Sequence, residues 1–256
     1  MRWIWQLLGY DGDLDMAAMR RARRSPIKRS SPRRLTLGID EAGRGPSIGP
    51  MVMAAVALDS RTAATLTRKG LSDSKTYGAG DEAHAIRTEL AAEIRARAVF
   101  VATIEVEHTE IDERVSRGEL NVLERELAIK LIEQAPKVDR IIADGKRMFA
   151  ALCARFEGFE SHDRAEEKHA SVAAASVVAK ALRDERFARI KQRYEDVCGP
   201  ITGGGYSNAA TARWVRAYVE KYGRLPDEAR RSWPFPFVED LIGDQRIQGP
   251  QRELFG

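Results

Sequence analysis

Past residue 34 the chain alternates short apolar runs with longer amphipathic stretches. Residues 35–39 (LTLGI) and 50–58 (PMVMAAVAL) read as two strands joined by a glycine-rich turn. Residues 70–80 read as loop, residues 81–98 have helical composition, and residues 99–106 alternate well enough for a strand. Leu120, Leu123, Leu127 and Leu131 recur at helical spacing up to Pro136, which predicts a helix over residues 118–135. Ile141, Ile142 and Ala143 form a short apolar run that ends in a carboxylate, Asp144. An alanine-rich helix is expected over residues 172–193. Another is expected over 209–222, where Trp214, Tyr218 and Tyr222 share a face with Val215 and Val219. Strands mixed with helices in this way predict an α/β or α+β sheet with helices packed on it.

Composition narrows the class. The chain has 256 residues, 43% of them apolar and 7% aromatic, enough to bury a core as one domain with a small appendage. Cys153 and Cys198 lie far apart and lack a metal-type spacing, so free thiols in a reducing cytoplasm are expected and zinc is not. The net charge of +4 is uneven along the chain. Residues 1–34 hold nine Lys and Arg against three Asp, a net of +6, so the remainder sums to −2. The apolar stretch in residues 1–10 is too short to span a bilayer and lacks a secretory cleavage pattern, so no membrane role is expected. From Arg20 to Arg34 there are eight basic residues and no acidic one. That run reads as a solvated, disordered arm. Its functional reading is counterion release along a nucleic-acid backbone. The three aspartates at 11, 13 and 15 fit a transit peptide poorly.

The candidate chemistry begins where the first strand meets its turn. Asp40 and Glu41 are followed at once by Gly43, Arg44, Gly45 and Pro46. Carboxylates crowded in a cleft repel each other unless a cation lies between them, which suggests a divalent metal. Glycines let the backbone approach a ligand, and arginine suits a phosphate. A dinucleotide-binding fingerprint would require glycine at position 48, where Ile48 stands, so that reading fails. His84, His108, His162 and His169 show no metal-ligand spacing, and none has the setting of a general base.

The segment Asp40-Glu41-Ala42-Gly43-Arg44-Gly45-Pro46 closely resembles the signature of the type 2 ribonucleases H, in particular the ribonuclease HII family. Further matches follow in family order. They are Asp73-Ser74-Lys75, Asp144-Gly145, the run from Ala173 through Ser176 to Lys180 with Arg183-Asp184, Gly203-Gly204-Gly205-Tyr206, and Arg230-Arg231-Ser232-Trp233. The resemblance thus runs from about residue 35 to residue 233.

It implies a ribonuclease H-like fold: a mixed sheet flanked by helices, with a helical C-terminal subdomain. The implied organisation is a basic extension over residues 1–34, a catalytic domain over 35–200 and a helical subdomain over 201–256. It also implies a metal-dependent endonuclease of DNA replication and repair. Such an enzyme hydrolyses the RNA strand of RNA–DNA hybrids and incises duplex DNA 5′ of embedded ribonucleotides. Two Mg²⁺ or Mn²⁺ ions would be held by Asp40, Glu41, Asp144 and a fourth carboxylate. A monomer in the cytoplasm is expected.

Counting back seven residues from Ala173 puts Glu166 in the fourth place, within Arg164-Ala165-Glu166. The family usually has aspartate there; glutamate is the choice of the sister ribonuclease HIII. Asp163 and Glu167 are neighbours that fit the same place, and Asp184 reads as a structural salt-bridge residue. In the resembled family the loop of Gly43, Arg44 and Gly45 tests, with a tyrosine, for a ribose 2′-hydroxyl, and Tyr206 is the matching residue. Ser207 stands where the family commonly has proline. Ser74, Lys75, Lys180, Arg230 and Arg231 correspond to substrate contacts, with plain surface charge as the alternative. Two further readings stay open. One is a ribonuclease HIII-like enzyme needing runs of ribonucleotides, and the other is a non-catalytic nucleic-acid-binding module.

Overall fold

Alternation sets the sheet. In MVMAAVALD the odd positions Met51, Met53, Ala55 and Ala57 join one apolar cluster, and Val52, Ala54, Val56 and Leu58 join a second. A strand whose successive side chains point to opposite faces can serve two cores only if helices cover both sides. The computed structural model describes residues 34–72, 77–78 and 81–243, and shows that arrangement. The expectations for the basic arm, and for Asp73, Ser74 and Lys75, fall outside the described residues.

Strands β1 (Leu35–Ala42) and β2 (Met51–Asp59) are followed by helices α1 (Ser60–Arg68) and α2 (Asp81–Arg97), then β3 (Phe100–Val106). Next come α3 (His108–Ser116), α4 (Leu120–Gln134), β4 (Arg140–Asp144) and the single turn α5 (Lys146–Phe149). β5 (Phe159–His162), the long α6 (Ala170–Cys198), α7 (Ala209–Tyr222) and a short α8 (Glu239–Ile242) complete the described order. The five strands lie in the order β3-β2-β1-β4-β5. β3, β2 and β1 pair antiparallel, whereas β1, β4 and β5 pair parallel.

Helices α1, α2 and the first half of α6 cover one face, and α3, α4, the second half of α6 and the segment beyond it build the cluster on the other. Trp214, Tyr218 and Trp233 bury in the same cluster as Leu37 and Ile39 of β1. Tyr194 of α6 meets Trp214 edge-on at 5.3 Å between ring centroids, and its hydroxyl donates to Glu228 at 2.6 Å. Tyr222, expected on the packed face of α7, is 41% exposed and leans on Tyr218.

Most expected elements stand within a few residues of their predicted bounds. β1 continues through Asp40 and Glu41 to Ala42 rather than stopping before them, because both carboxylates belong to the ladder with β2. α6 is longer than expected at each end. α1, α3 and β5 carry no pattern that stands out locally. β5 is four residues, FESH, held by its pairing to β4.

One glycine decides how the layers meet. A Cβ on Gly38 would lie 2.1 Å from the Ser171 carbonyl carbon, so α6 crosses β1 in backbone contact. No larger residue permits that approach, and it sets the start of α6 directly over the strand that carries Asp40. No helix among the described residues is long and apolar enough to cross a membrane.

Candidate active site

β1 and β4 run side by side with Ile39 opposite Ala143, so Asp40 and Asp144 follow one step further on, just past the last residues that the two strands pair. Asp144 Oδ1 accepts from the Ala165 amide at 2.8 Å, which fixes the one-turn helix of Ala165–Glu167 beside it. Arg164, just before that turn, has φ 58°, the one left-handed residue other than glycine among those described. The kink returns the chain toward the sheet and buries Glu166, which is 5% exposed.

Asp40 is 6% exposed, and its carboxyl is pushed up to about 8. Burial is the main cause, the charge of Asp144 the next, and that of Glu166 a smaller one. A hydrogen bond from Ser176 of α6 and one from the Glu41 amide (2.9 Å) work in the opposite direction. Asp40, Asp144 and Glu166 therefore form one electrostatic group. Their neighbours are otherwise engaged. Asp163 accepts from the Lys146 amide at 2.8 Å, Glu167 pairs with Arg164, and Asp184 is gripped by Arg87 at 2.8 and 3.1 Å.

Glu41 leaves the strand on the opposite face but still feels that group, since the charges of Asp40 and Asp144 both act to raise its carboxyl. It points to the face of Leu37 and Ile39, toward α4. Burial and then the charge of Glu124 raise its carboxyl well above the usual range, with Asp40 third and Arg44 opposing. Its Oε2 is buried without a hydrogen-bond partner. Glu124 was absent from the sequence-based candidates, although it sits in phase with Leu120, Leu127 and Leu131, where a glutamate is a signal in itself. It is fully buried and accepts from Arg44 Nε at 2.8 Å, while Asn121 accepts from Arg44 Nη2 at 2.7 Å. The Arg44 side chain is thus engaged by α4. Among the described residues, no three acidic, histidine or cysteine side chains converge closely enough to hold an ion as they stand.

The loop after β1 meets the C-terminal segment. The Gly205 carbonyl accepts from the Ser47 and Ile48 amides at 2.8 and 3.2 Å, and the Ser47 carbonyl accepts from the Arg230 amide at 2.8 Å. These bonds set Tyr206, 43% exposed, beside Gly45, where an added Cβ would lie 3.8 Å from the tyrosine ring. Arg183 of α6 supports the pair from below. It donates to the Gly204 carbonyl at 2.6 Å and stacks over Phe187 and Tyr206 at 4.6 and 5.7 Å.

Lys180 is half-buried on α6, and Arg231 is exposed with its amide bonded to Asp112. Arg230 fits neither expectation, substrate contact or surface charge. It is fully buried and its guanidinium donates to the carbonyls of Gly43, Arg44 and Gly49. Burial, with the like charge of Arg183 adding, lowers it to about 9. Asp112 holds the same segment through the Arg231 and Ser232 amides and the Ser232 hydroxyl. Its local sequence gives no hint of that role.

A mixed five-stranded sheet flanked by helices, with acidic side chains on the neighbouring strands β1 and β4, is the ribonuclease H-like fold. The chain matches the family model described as Ribonuclease HII over residues 37–235. It is 34% identical to the ribonuclease HII of Pyrococcus furiosus over 207 residues, which cover 77% of this chain and 87% of the relative. Identity to the ribonuclease HII of Pyrobaculum arsenaticum is 38% over 211 residues, 80% of this chain and 96% of that one. The crystal structure of the ribonuclease H2 from Pyrococcus horikoshii OT3 superposes with a TM-score of 0.69 at 28% identity, covering 82% of this chain and 98% of that one. The chain belongs to the ribonuclease HII family and is an endoribonuclease, a hydrolase.

Proposed function

We propose that the chain hydrolyses the RNA strand of RNA–DNA hybrids and incises duplex DNA 5′ of embedded ribonucleotides, leaving 5′-phosphate and 3′-hydroxyl ends. The observation that carries this reading is the juxtaposition of the acidic group of Asp40, Asp144 and Glu166 with the loop pair of residues 43–45 and 203–206. One supplies a site for phosphodiester chemistry, and the other a surface that tests the sugar beside it.

The donors suit two divalent ions of the Mg²⁺ or Mn²⁺ kind. They are oxygens only, the buried Glu41 Oε2 lacks a hydrogen-bond partner, and the Asp40 carboxyl is held near 8 by burial and its neighbours' charge. Asp40, Glu41, Asp144 and Glu166 would hold them. Such ions, when bound, lower the pKa of an attacking water and stabilise the departing 3′-oxygen. Ser176 orients the Asp40 carboxylate, and the Ala165 amide orients Asp144. Gly43, Arg44 and Gly45 present backbone close to the substrate, Tyr206 offers an exposed ring for stacking against the ribose and base, and Ser74, Lys75, Lys180 and Arg231 contact the phosphate backbone. The enzyme would act as a cytoplasmic monomer.

Glu166, a glutamate where the family commonly has aspartate, favours the ribonuclease HIII-like alternative, and the loop with Tyr206 opposes it. A duplex carrying one ribonucleotide, incubated with Mg²⁺, Mn²⁺ or EDTA, separates the readings. Metal-dependent incision 5′ of the single ribonucleotide is expected. Cleavage only of substrates with several ribonucleotides in a row supports the alternative, and binding without cleavage supports a non-catalytic module.

A further inference from the structure

We infer that Arg230 is a positioning residue for ribonucleotide recognition: from behind the loop it turns the peptide units of residues 43–45 so that two amides face the substrate. Arg230 Nη2 donates to the Gly43 carbonyl at 2.5 Å, Nη1 to the Arg44 carbonyl at 2.8 Å and Nε to the Gly49 carbonyl at 2.9 Å. Trp233 Nε1 donates to the Gly45 carbonyl at 3.2 Å, and the guanidinium lies over the indole at 5.0 Å. Three successive carbonyls are thereby drawn toward the C-terminal segment.

In a trans peptide the carbonyl and the following N–H point in opposite directions. The amides of Arg44 and Gly45 therefore point away from Arg230, on the side where Gly45 is exposed and the Tyr206 ring lies. The third unit ends at Pro46, which has no N–H, so the row of donors stops at two. Among the described backbone hydrogen bonds outside helices and strands, none uses the Arg44 or Gly45 amide. Gly43 makes the turn feasible: its φ is +85°, and a Cβ there would strike the Pro50 carbonyl at 2.6 Å. The ligand such a pair takes is an acceptor oxygen, a ribose hydroxyl or its adjoining phosphate.

A buried guanidinium is costly unless its donors are used. A lysine keeps the charge but has no planar fork to hold three carbonyls in fixed directions. The inference rests on the proposed reading that residues 43–45 and Tyr206 test for a ribonucleotide. Two variants probe it, Arg230→Lys and Trp233→Phe, the second keeping an aromatic ring against the guanidinium while losing the bond to Gly45 and part of the indole's packing. kcat and KM are measured on a duplex with one ribonucleotide and on a continuous RNA–DNA hybrid, with thermal unfolding recorded alongside.

Arg230→Lys should lose about tenfold more on the single ribonucleotide than on the hybrid, mostly in KM, because a continuous hybrid offers other registers. Trp233→Phe should shift the ratio in the same direction by less. Equal losses on both substrates, or an unchanged ratio in folded variants, overturn the inference and leave Arg230 a structural residue. If Arg230→Lys does not fold, the Trp233→Phe ratio decides alone. A wild-type enzyme that fails to incise at a single ribonucleotide overturns the recognition reading itself. Wild-type incision that Arg230→Lys leaves undiminished overturns only the role given to Arg230.

Discussion

Asp40 and Arg230 are both ionisable groups withdrawn from water beside residues 40–45, and they are settled differently. Arg230 spends its guanidinium on three backbone carbonyls and an indole face, so its region is locked. Asp40 has one serine and one amide against the charges of Asp144 and Glu166, and its carboxyl rests near 8. If the loop recognises the sugar as proposed, it profits from being fixed before substrate arrives, since ordering it later would cost affinity. Under the proposed function these carboxylates would hold cations, and they could not be satisfied in advance without losing that chemistry, which accounts for the electrostatic strain at that end of the sheet.

The largest effect expected is at Asp40. Asp40→Asn should abolish cleavage while leaving hybrid binding largely intact, because an amide removes a charged ligand and keeps the shape. Retained activity within about tenfold of wild type, in a cleavage assay with Mg²⁺ or Mn²⁺, would remove Asp40 from the centre of the site.

Glu166 sharpens the acidic side of the comparison. Glu166→Gln should cost at least about a hundredfold in rate, and Glu166→Asp should retain activity while altering the Mg²⁺/Mn²⁺ preference. Asp163→Asn and Glu167→Gln should do much less, since those carboxylates are occupied by the Lys146 amide and Arg164. The reverse pattern would mean the ligand lies elsewhere in residues 163–167.

On the locked side, Tyr206→Phe should retain stacking. Tyr206→Ala should cost about tenfold on a duplex with one ribonucleotide, and less on a continuous hybrid. Equal losses on the two substrates would argue against a role in sensing the sugar.

The smallest effect concerns stability without metal. A carboxyl raised from 3.8 to about 8 binds its proton more tightly in the folded state. That contribution is present below pH 4 and is lost as pH climbs toward 8. Metal-free protein should therefore unfold at a lower temperature at pH 8 than at pH 5.5, and Asp40→Asn should recover at least ~1 kcal/mol at pH 8, roughly 2–4 °C. If the variant is less stable than wild type at pH 8, measured by thermal melts in EDTA, the strain assigned to Asp40 is absent.

Much of this was legible locally. The signature from Asp40 to Pro46 names the strand end and the loop, the four leucines of α4 mark its buried face, and the alanine run of α6 marks a helix that packs closely. Each is a pattern among chain neighbours, set by the period of a strand or helix and by the few residue types a tight turn admits. The tertiary structure alone decided what the two adjacent carboxylates meet, Asp40 the charges of Asp144 and Glu166, and Glu41 chiefly that of Glu124. It alone turned Arg230 inward, to carbonyls 187 and 186 positions away, and set Asp112 under the segment that carries it. Those partners are chosen by which surfaces the folded layers bring together, and a charged residue reads the same in sequence whether it meets water or a buried carbonyl.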